Sequence, residues 1–345
     1  MKAIVIHAAR DLRIEEQQPL WPKAGQVGVA IEAGGICGSD LHYYNHGGFG
    51  AVRVKHPMVL GHEVAGMIES IGPGVEGLAV GDRIAVSPSL PCNSCEYCLK
   101  GQQNQCLDMR FYGSAMRMPH VDGAFRQHLV AEASQCHRLA DGVTLSEGAF
   151  AEPFAVTLHA VSRAGSLLGK RVLVTGSGPI GALCIVAARA HGAREIVVTD
   201  VMEGPLAFAR AVGADETIDV ARESERLAAY GADKGTFDVM FEASGNAAAL
   251  AAGIEVLRPR SVLVQLGLGS GDMAVPQNRI VAKEIEVRGS FRFHEEFALA
   301  VDLINKRRVD VRPLLSDTFP IDEAIAAFEL ANDRRRSMKV QIAFG

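Results

Sequence analysis

Four cysteines, Cys92, Cys95, Cys98 and Cys106, fall within one short stretch of polar turn residues. Thiolates at this spacing can close a tetrahedron around zinc, and a site with all four positions filled is structural rather than catalytic. Such an ion would brace a loop that has no core of its own. A second set of ligand-type residues is dispersed: Cys37 in GGICGSDLHYY, His62 and Glu63 in GHEVAG, and Glu152 in AEPFAV. One thiolate, one imidazole and one or two carboxylates can hold a zinc that keeps a coordination position open for substrate. Asp40 is the candidate to accept the other ring N–H of His62 and fix its tautomer.

A third group binds rather than reacts. Gly176-Ser177-Gly178-Pro179-Ile180-Gly181 follows the strand-like run RVLVT and opens a helix-like one. Gly176, Gly178 and Gly181 would permit a tight turn, close approach to a pyrophosphate and close helix–strand contact. Pro179 and Ile180 would start the helix whose positive end faces the phosphates. Asp200 ends the next strand-like run, about 20 residues further on, where a carboxylate accepts from a ribose 2′-hydroxyl. It would repel a 2′-phosphate, and Val201 and Met202 offer no arginine to hold one. NAD is therefore favoured, with NADP as the alternative.

These groups need elements to position them. Up to about residue 150 the chain reads as short β stretches punctuated by Gly and Pro: MKAIVIH, DLRIEEQ, QVGVAIEAGGI, EVAGMIESIG and DRIAVSP. That texture predicts an irregular, mostly antiparallel β domain. Beyond it, β-branched strands alternate with amphipathic helical runs, from RVLVTG through EIVVTD, ETIDV, FDVMFEASG and SVLVQLGLG to EIEVRGS. Strand–helix alternation predicts a doubly wound parallel sheet, so the fold class is α/β. From about Phe291 a helix (FALAVDLINKR) and a closing strand (KVQIAFG) follow, and they are candidates to rejoin the first domain.

Composition narrows the function class. At 345 residues the chain suggests two domains. A net charge of −5 argues against nucleic acid as a partner. The densest basic run, Arg334-Arg335-Arg336, reads as a solvated helix end. The N-terminal stretch lacks the apolar core of a signal peptide, and no run approaches a membrane span. Seven cysteines, four of them clustered, fit a metal site in a reducing cytoplasm better than a disulfide framework. His128, His137, His159 and His191 read as structural histidines, and Cys136 and Cys184 as buried thiols.

GGICGSDLH, GHEVAG, the four-cysteine lobe, AEPFAVTLHA and GSGPIG occur in the order found in zinc-containing medium-chain alcohol and polyol dehydrogenases. The chain resembles that family along essentially its whole length. The resemblance implies a GroES-like catalytic domain (1–150 with 291–345) split around a Rossmann NAD-binding domain (151–290). It implies a catalytic zinc on Cys37 and His62, a structural zinc on the four clustered cysteines, and a proton relay through Ser39 and His42. Leu268 and Arg292 join the expected cofactor contacts. Glu152 stands where simple alcohol dehydrogenases carry a third cysteine ligand, which resembles the sorbitol and polyol branch; whether Glu63 or Glu152 touches the metal stays open. The substrate implied is a polyol or a sugar acid. Tyr43, Arg110, Arg117 and Arg292 are candidates to contact it, the arginines because a carboxylate substrate calls for a cation. The same branch implies a homo-oligomer, dimer or tetramer. Two rival readings are weaker: a non-catalytic dinucleotide sensor needs none of Cys37, His62, Glu152, Ser39 and His42, and a zinc hydrolase lacks an HExxH pair and leaves the glycine turn unexplained.

Overall fold

The spine of the first sheet is the strand Gln26–Gly35, whose Val27, Val29 and Ile31 alternate into the core. In a computed structural model describing residues 1–269 and 271–345, it pairs antiparallel with Glu63–Ile71 on one edge and with Lys339–Ala343 on the other. His128–Glu132 pairs with its first half. Arg83–Val86 and Cys136–Arg138 extend the sheet beyond Glu63–Ile71, and Leu315–Pro320 runs parallel to Lys339–Ala343 at the far edge. A three-stranded sheet of Asp11–Glu16, Lys2–Ala8 and Met58–Val59 completes the β-rich unit. His128–Glu132, Cys136–Arg138 and Leu315–Pro320 are not among the predicted strands. Each is short, and each is stabilised by partners distant in sequence rather than by its own pattern.

The second sheet has six strands, all parallel, in the order Glu216–Asp219, Glu195–Asp200, Arg171–Thr175, Phe237–Glu242, Leu257–Gln265, Glu286–Gly289. In order of occurrence this is 3-2-1-4-5-6, the doubly wound arrangement expected from the alternating strands and helices. Order reverses between Arg171–Thr175 and Phe237–Glu242, so the crevice beyond their C-terminal ends is where such sheets bind ligands.

Helix Ala151–Ala164 joins the two units. Pro153 is tolerated because the first-turn N–H groups have no partner within a helix. Phe154, Leu158 and Val161 share one apolar cluster with Ala65 and Ala85 of the first sheet and with Val172 and Val174 of the second. Helices Pro179–Ala190 and Glu296–Asn305 pack against it. Residues on its first turn are thereby held rigidly at the junction. No helix among the described residues is long and apolar enough to cross a membrane.

Candidate active site

Strand register brings the dispersed ligand-type residues together. Gly35 pairs with Glu63, so the ends of two neighbouring strands set Cys37 beside His62. Cys37 is the N-cap of helix Gly38–His46, and its backbone N–H donates to Asp40 Oδ2 at 3.0 Å. Donor atoms of Cys37, His62 and Glu63 all lie within 4.8 Å of one another. Glu152 is not in this trio. It reaches the same place from helix Ala151–Ala164, close enough for His62, Glu63 and Cys37 to act on its carboxyl.

Electrostatics separate the two glutamates. Both Glu63 oxygens lie 2.8 Å from Lys339 Nζ, which also donates to the Ile36 carbonyl at 3.0 Å, and the pair is fully buried. Burial would lower the Lys339 ammonium, but Glu63 and Cys37 outweigh it and hold it above its ordinary value. Glu152 has no salt-bridge partner among the described residues, and burial pushes its carboxyl up to about 8 against the opposing pull of His62. Burial likewise lifts the Cys37 thiol to about 12. Thiol, imidazole and carboxylate form a donor set suited to zinc, and a divalent cation would supply the charge that Cys37 and Glu152 lack.

The expected Asp40–His62 hydrogen bond is not formed. Asp40 Oδ1 is 3.8 Å from His62 Nδ1, which is buried without a partner. The carboxylate instead accepts from the backbone N–H groups of Cys37 and Gly61, the latter at 3.2 Å. Asp40 therefore fixes the backbone on both sides of the site, and approaches the ring only as a nearby charge.

Ser39 and His42 lie on the helix that Cys37 caps, three residues apart and so on one face. Ser39 acts on the Cys37 thiol, drawing it down a little against the effect of burial. His42 is exposed, and burial of part of its ring, with a smaller effect from His46, lowers its pKa. Tyr43 is buried, and its hydroxyl accepts from the Ala115 N–H at 3.0 Å. Among the three candidate arginines only Arg292 faces this group. Its guanidinium lies 4.5 Å from the Phe111 ring centroid, and Glu152 and Tyr43 act on its charge. Its backbone φ is +56°, an uncommon value for a side-chain-bearing residue. Arg117 is paired to Asp108, and Arg110 is exposed on a two-residue strand.

The four clustered cysteines converge as their spacing requires, all sulfurs lying within 4.8 Å of one another. Cys92 Sγ is 4.0 Å from Cys98 Sγ and 3.4 Å from Cys106 Sγ. A tetrahedron with zinc–sulfur bonds of about 2.3 Å has edges of about 3.8 Å. Backbone N–H groups of Cys92 and Asp108 point at the Cys106 sulfur. Donation from the Ser94 backbone and hydroxyl holds the Cys92 thiol down at about 6. Only Met109 and Phe111 join the cysteines in the lobe's own buried cluster, so its order depends on the sulfurs.

At the second site Gly176 has φ +83°, and a Cβ there would lie 2.7 Å from Ser244 Cα. Gly178 caps helix Pro179–Ala190, and Gly181 sits against the Gly176 carbonyl with no room for a side chain. Asp200 Oδ2 accepts from Ser177 N–H at 2.8 Å, and Oδ1 accepts from Val201 N–H at 2.8 Å. A cavity of about 870 Å³ opens here, lined by Gly176, Asp200, Ser244 and Asn246 among others. Leu268 is exposed and is not among the residues lining this cavity; its carbonyl packs on Gly245.

Two residues at this site escaped the sequence reading. Glu242 is fully buried and accepts from Ser244 N–H, Gly245 N–H and Gln265 Nε2, tying down the loop that walls the glycine turn. An acid closing the strand FDVMFE, one residue ahead of Ser244-Gly245, was the available signal. Arg334 is not simply a solvated helix end. Its Nη2 lies 3.5 Å from Asp200 Oδ2 and it lines the cavity. No local pattern marks it, because the chain folds back across more than a hundred residues to place it. The remaining histidines take structural partners: His159 pairs with Glu296, His128 with Glu69, His191 with the Ala187 carbonyl, and His137 packs on Phe297. Cys184 is buried, whereas Cys136 is only partly so.

A strand-register metal cluster, a four-cysteine lobe and a doubly wound sheet with a glycine turn define a zinc- and dinucleotide-dependent dehydrogenase. Residues 23–141 match the alcohol dehydrogenase GroES-like domain and residues 179–306 the zinc-binding dehydrogenase domain, and the chain belongs to this family. Its cofactors are accordingly zinc, catalytic and structural, and a nicotinamide dinucleotide, and it acts on CH–OH donors. The L-idonate 5-dehydrogenase (NAD(P)(+)) of Escherichia coli K12 is 41% identical over 99% of this chain and 98% of its own. Sorbitol dehydrogenase of Gallus gallus is 37% identical over 99% of this chain and 95% of its own. The crystal structure of the E. coli L-idonate 5-dehydrogenase superposes with a TM-score of 0.95 at 42% identity, covering 99% of this chain and 98% of that one.

Proposed function

We propose that the chain is an L-idonate 5-dehydrogenase, oxidising the fifth-carbon hydroxyl of L-idonate to give 5-keto-D-gluconate, reversibly. The observation that carries the reading is Arg292. Among the arginines singled out from the sequence, it alone has its charge facing the ligand cluster, stacked on Phe111 and partly desolvated. An aldonate presents a carboxylate that such a guanidinium can bind, whereas a polyol does not. The similarity to the E. coli enzyme supports the same substrate.

When bound, a zinc would supply Lewis-acid polarisation of the substrate hydroxyl, and a nicotinamide dinucleotide a hydride acceptor. Cys37, His62 and Glu152 would hold the zinc, since Lys339 already occupies both oxygens of Glu63. The substrate hydroxyl proton would pass to Ser39 and on to His42, whose imidazole pKa burial holds below its ordinary value and which is exposed to solvent. Asp200 would take the adenosine ribose, Gly176 and Gly178 the pyrophosphate, and Leu268 would be a further contact of the dinucleotide. Residues 1–150 and 291–345, joined by Glu152 from the start of the next segment, would carry the metal chemistry, and the rest of 151–290 the dinucleotide.

A polyol dehydrogenase of the sorbitol or xylitol type is the second reading, favoured by the 37% identity to sorbitol dehydrogenase. Initial rates of NADH formation by zinc-loaded protein on L-idonate, sorbitol and xylitol separate the two. L-Idonate should be preferred, and Arg292→Gln should cost roughly 10- to 100-fold in kcat/KM for it while sparing the polyols. Equal loss on all three substrates would assign Arg292 to packing or to the cofactor instead.

A further inference from the structure

Sequence around Asp200 holds no cation for a 2′-phosphate, yet the fold supplies one from the opposite end of the chain. Arg334 follows helix Ala324–Asn332 and reaches the Asp200 carboxylate at 3.5 Å. The same Nη2 is 3.7 Å from where a Cβ on Gly178 would stand, so the guanidinium lies over both the glycine turn and the ribose-binding acid. The segment is seated firmly. A Cβ on Gly204, just beyond Asp200, would come within 2.6 Å of the Arg335 carbonyl, and Ser337 Oγ ties the turn to the Leu330 carbonyl at 2.7 Å.

The Arg334–Asp200 contact is itself loose. At 3.5 Å it exceeds the 2.7–2.9 Å typical of charge-assisted bonds. Asp200 is already satisfied by the backbone N–H groups of Ser177, Val201 and Met202. The Arg334 side chain is 56% exposed, while that of Asp200 is 4% exposed. A long cation with a weak hold on its partner, above a buried acid that does not depend on it, is free to turn to another anion. Its charge also offsets the repulsion that Asp200 alone would direct at a phosphate on the ribose.

We propose that Arg334 is the specificity-determining residue for the cofactor: it binds the adenosine 2′-phosphate and lets the chain use NADP as well as NAD. The inference rests on dinucleotide binding and not on the identity of the alcohol, so it is tested without a substrate. Full-length zinc-loaded protein and its Arg334→Gln and Arg334→Lys variants are titrated with NADPH and with NADH, following nicotinamide fluorescence. The native chain should bind both. Arg334→Gln should weaken NADPH by roughly 10- to 100-fold and NADH by less than about threefold, with Arg334→Lys between. Added salt should weaken NADPH more than NADH in the native chain and equally in Arg334→Gln. Parallel losses for the two cofactors would place Arg334 on the pyrophosphate and overturn the proposal. So would a native chain that fails to bind NADPH, or an Arg334→Gln variant that still binds it normally.

Discussion

Replacing Lys339 by Met tests whether the Glu63 ion pair is a structural support of the zinc pocket. Lys339 and Glu63 side chains are 3% and 1% exposed, and three contacts of 2.8–3.0 Å hold the ammonium. Removing it strands a carboxylate in a site that water does not reach, and leaves the Ile36 carbonyl without its donor. The carboxylate cannot relax toward its neighbouring strand, because it is packed against Gly35 with no space for even a Cβ. Breaking a buried pair from one side costs about 3–5 kcal/mol. At roughly 2–4 °C per kcal/mol for a unit of this size, the melting temperature should fall by roughly 6–20 °C. Lys339→Met combined with Glu63→Gln removes both charges and should recover most of that loss, because the penalty belongs to the unpaired charge rather than to missing attraction. Calorimetry of the zinc-loaded proteins, with zinc content measured alongside, is the assay. A drop below about 2 °C, or a double variant no better than the single one, would refute the reasoning.

Two further outcomes follow from the other sites. Cys98→Ser should lower bound zinc from about two ions per chain to about one. It should also open the lobe to trypsin at the exposed Lys100 and Arg110, since the lobe's buried cluster holds little besides the cysteines; unchanged zinc content and digestion would count against a structural metal. Gly176→Ala must accept positive φ and a clash with the Ser244 backbone. The combined cost is about 2–4 kcal/mol, and NADH affinity by fluorescence titration should fall at least about tenfold; unaltered affinity would show that the turn does not cradle the dinucleotide.

Much of the site was legible before any folding. The four cysteines are close in sequence, so spacing alone brings their sulfurs near one another. The glycine turn is likewise local: strand, turn and helix are consecutive, and Asp200 ends the adjacent parallel strand. Other readings failed because they reached beyond neighbouring residues. Asp40 looked like the partner of His62, but a carboxylate at the third position of a helix is captured first by the backbone N–H of its own N-cap. Arg117 and Arg292 looked equivalent as candidate cations; an acid nine residues away claims Arg117, while stacking on Phe111 turns Arg292 to the site.

What the sequence determined by itself was therefore the chemistry that short range can build: a thiolate lobe, a phosphate turn, an acid at a strand end, and an alternation of strands and helices that forces a parallel sheet. Tertiary structure decided which carboxylate is free and which cation stands where. Lys339 closes on Glu63 and leaves Glu152 unpaired because the last strand is inserted beside Gln26–Gly35. Arg334 reaches Asp200 because the segment before that strand packs against Gly204 and over Gly178, beside the end of the strand that Asp200 closes. Charges act through space and not along the chain, so a partner supplied by a distant strand leaves no mark in the local pattern of either residue.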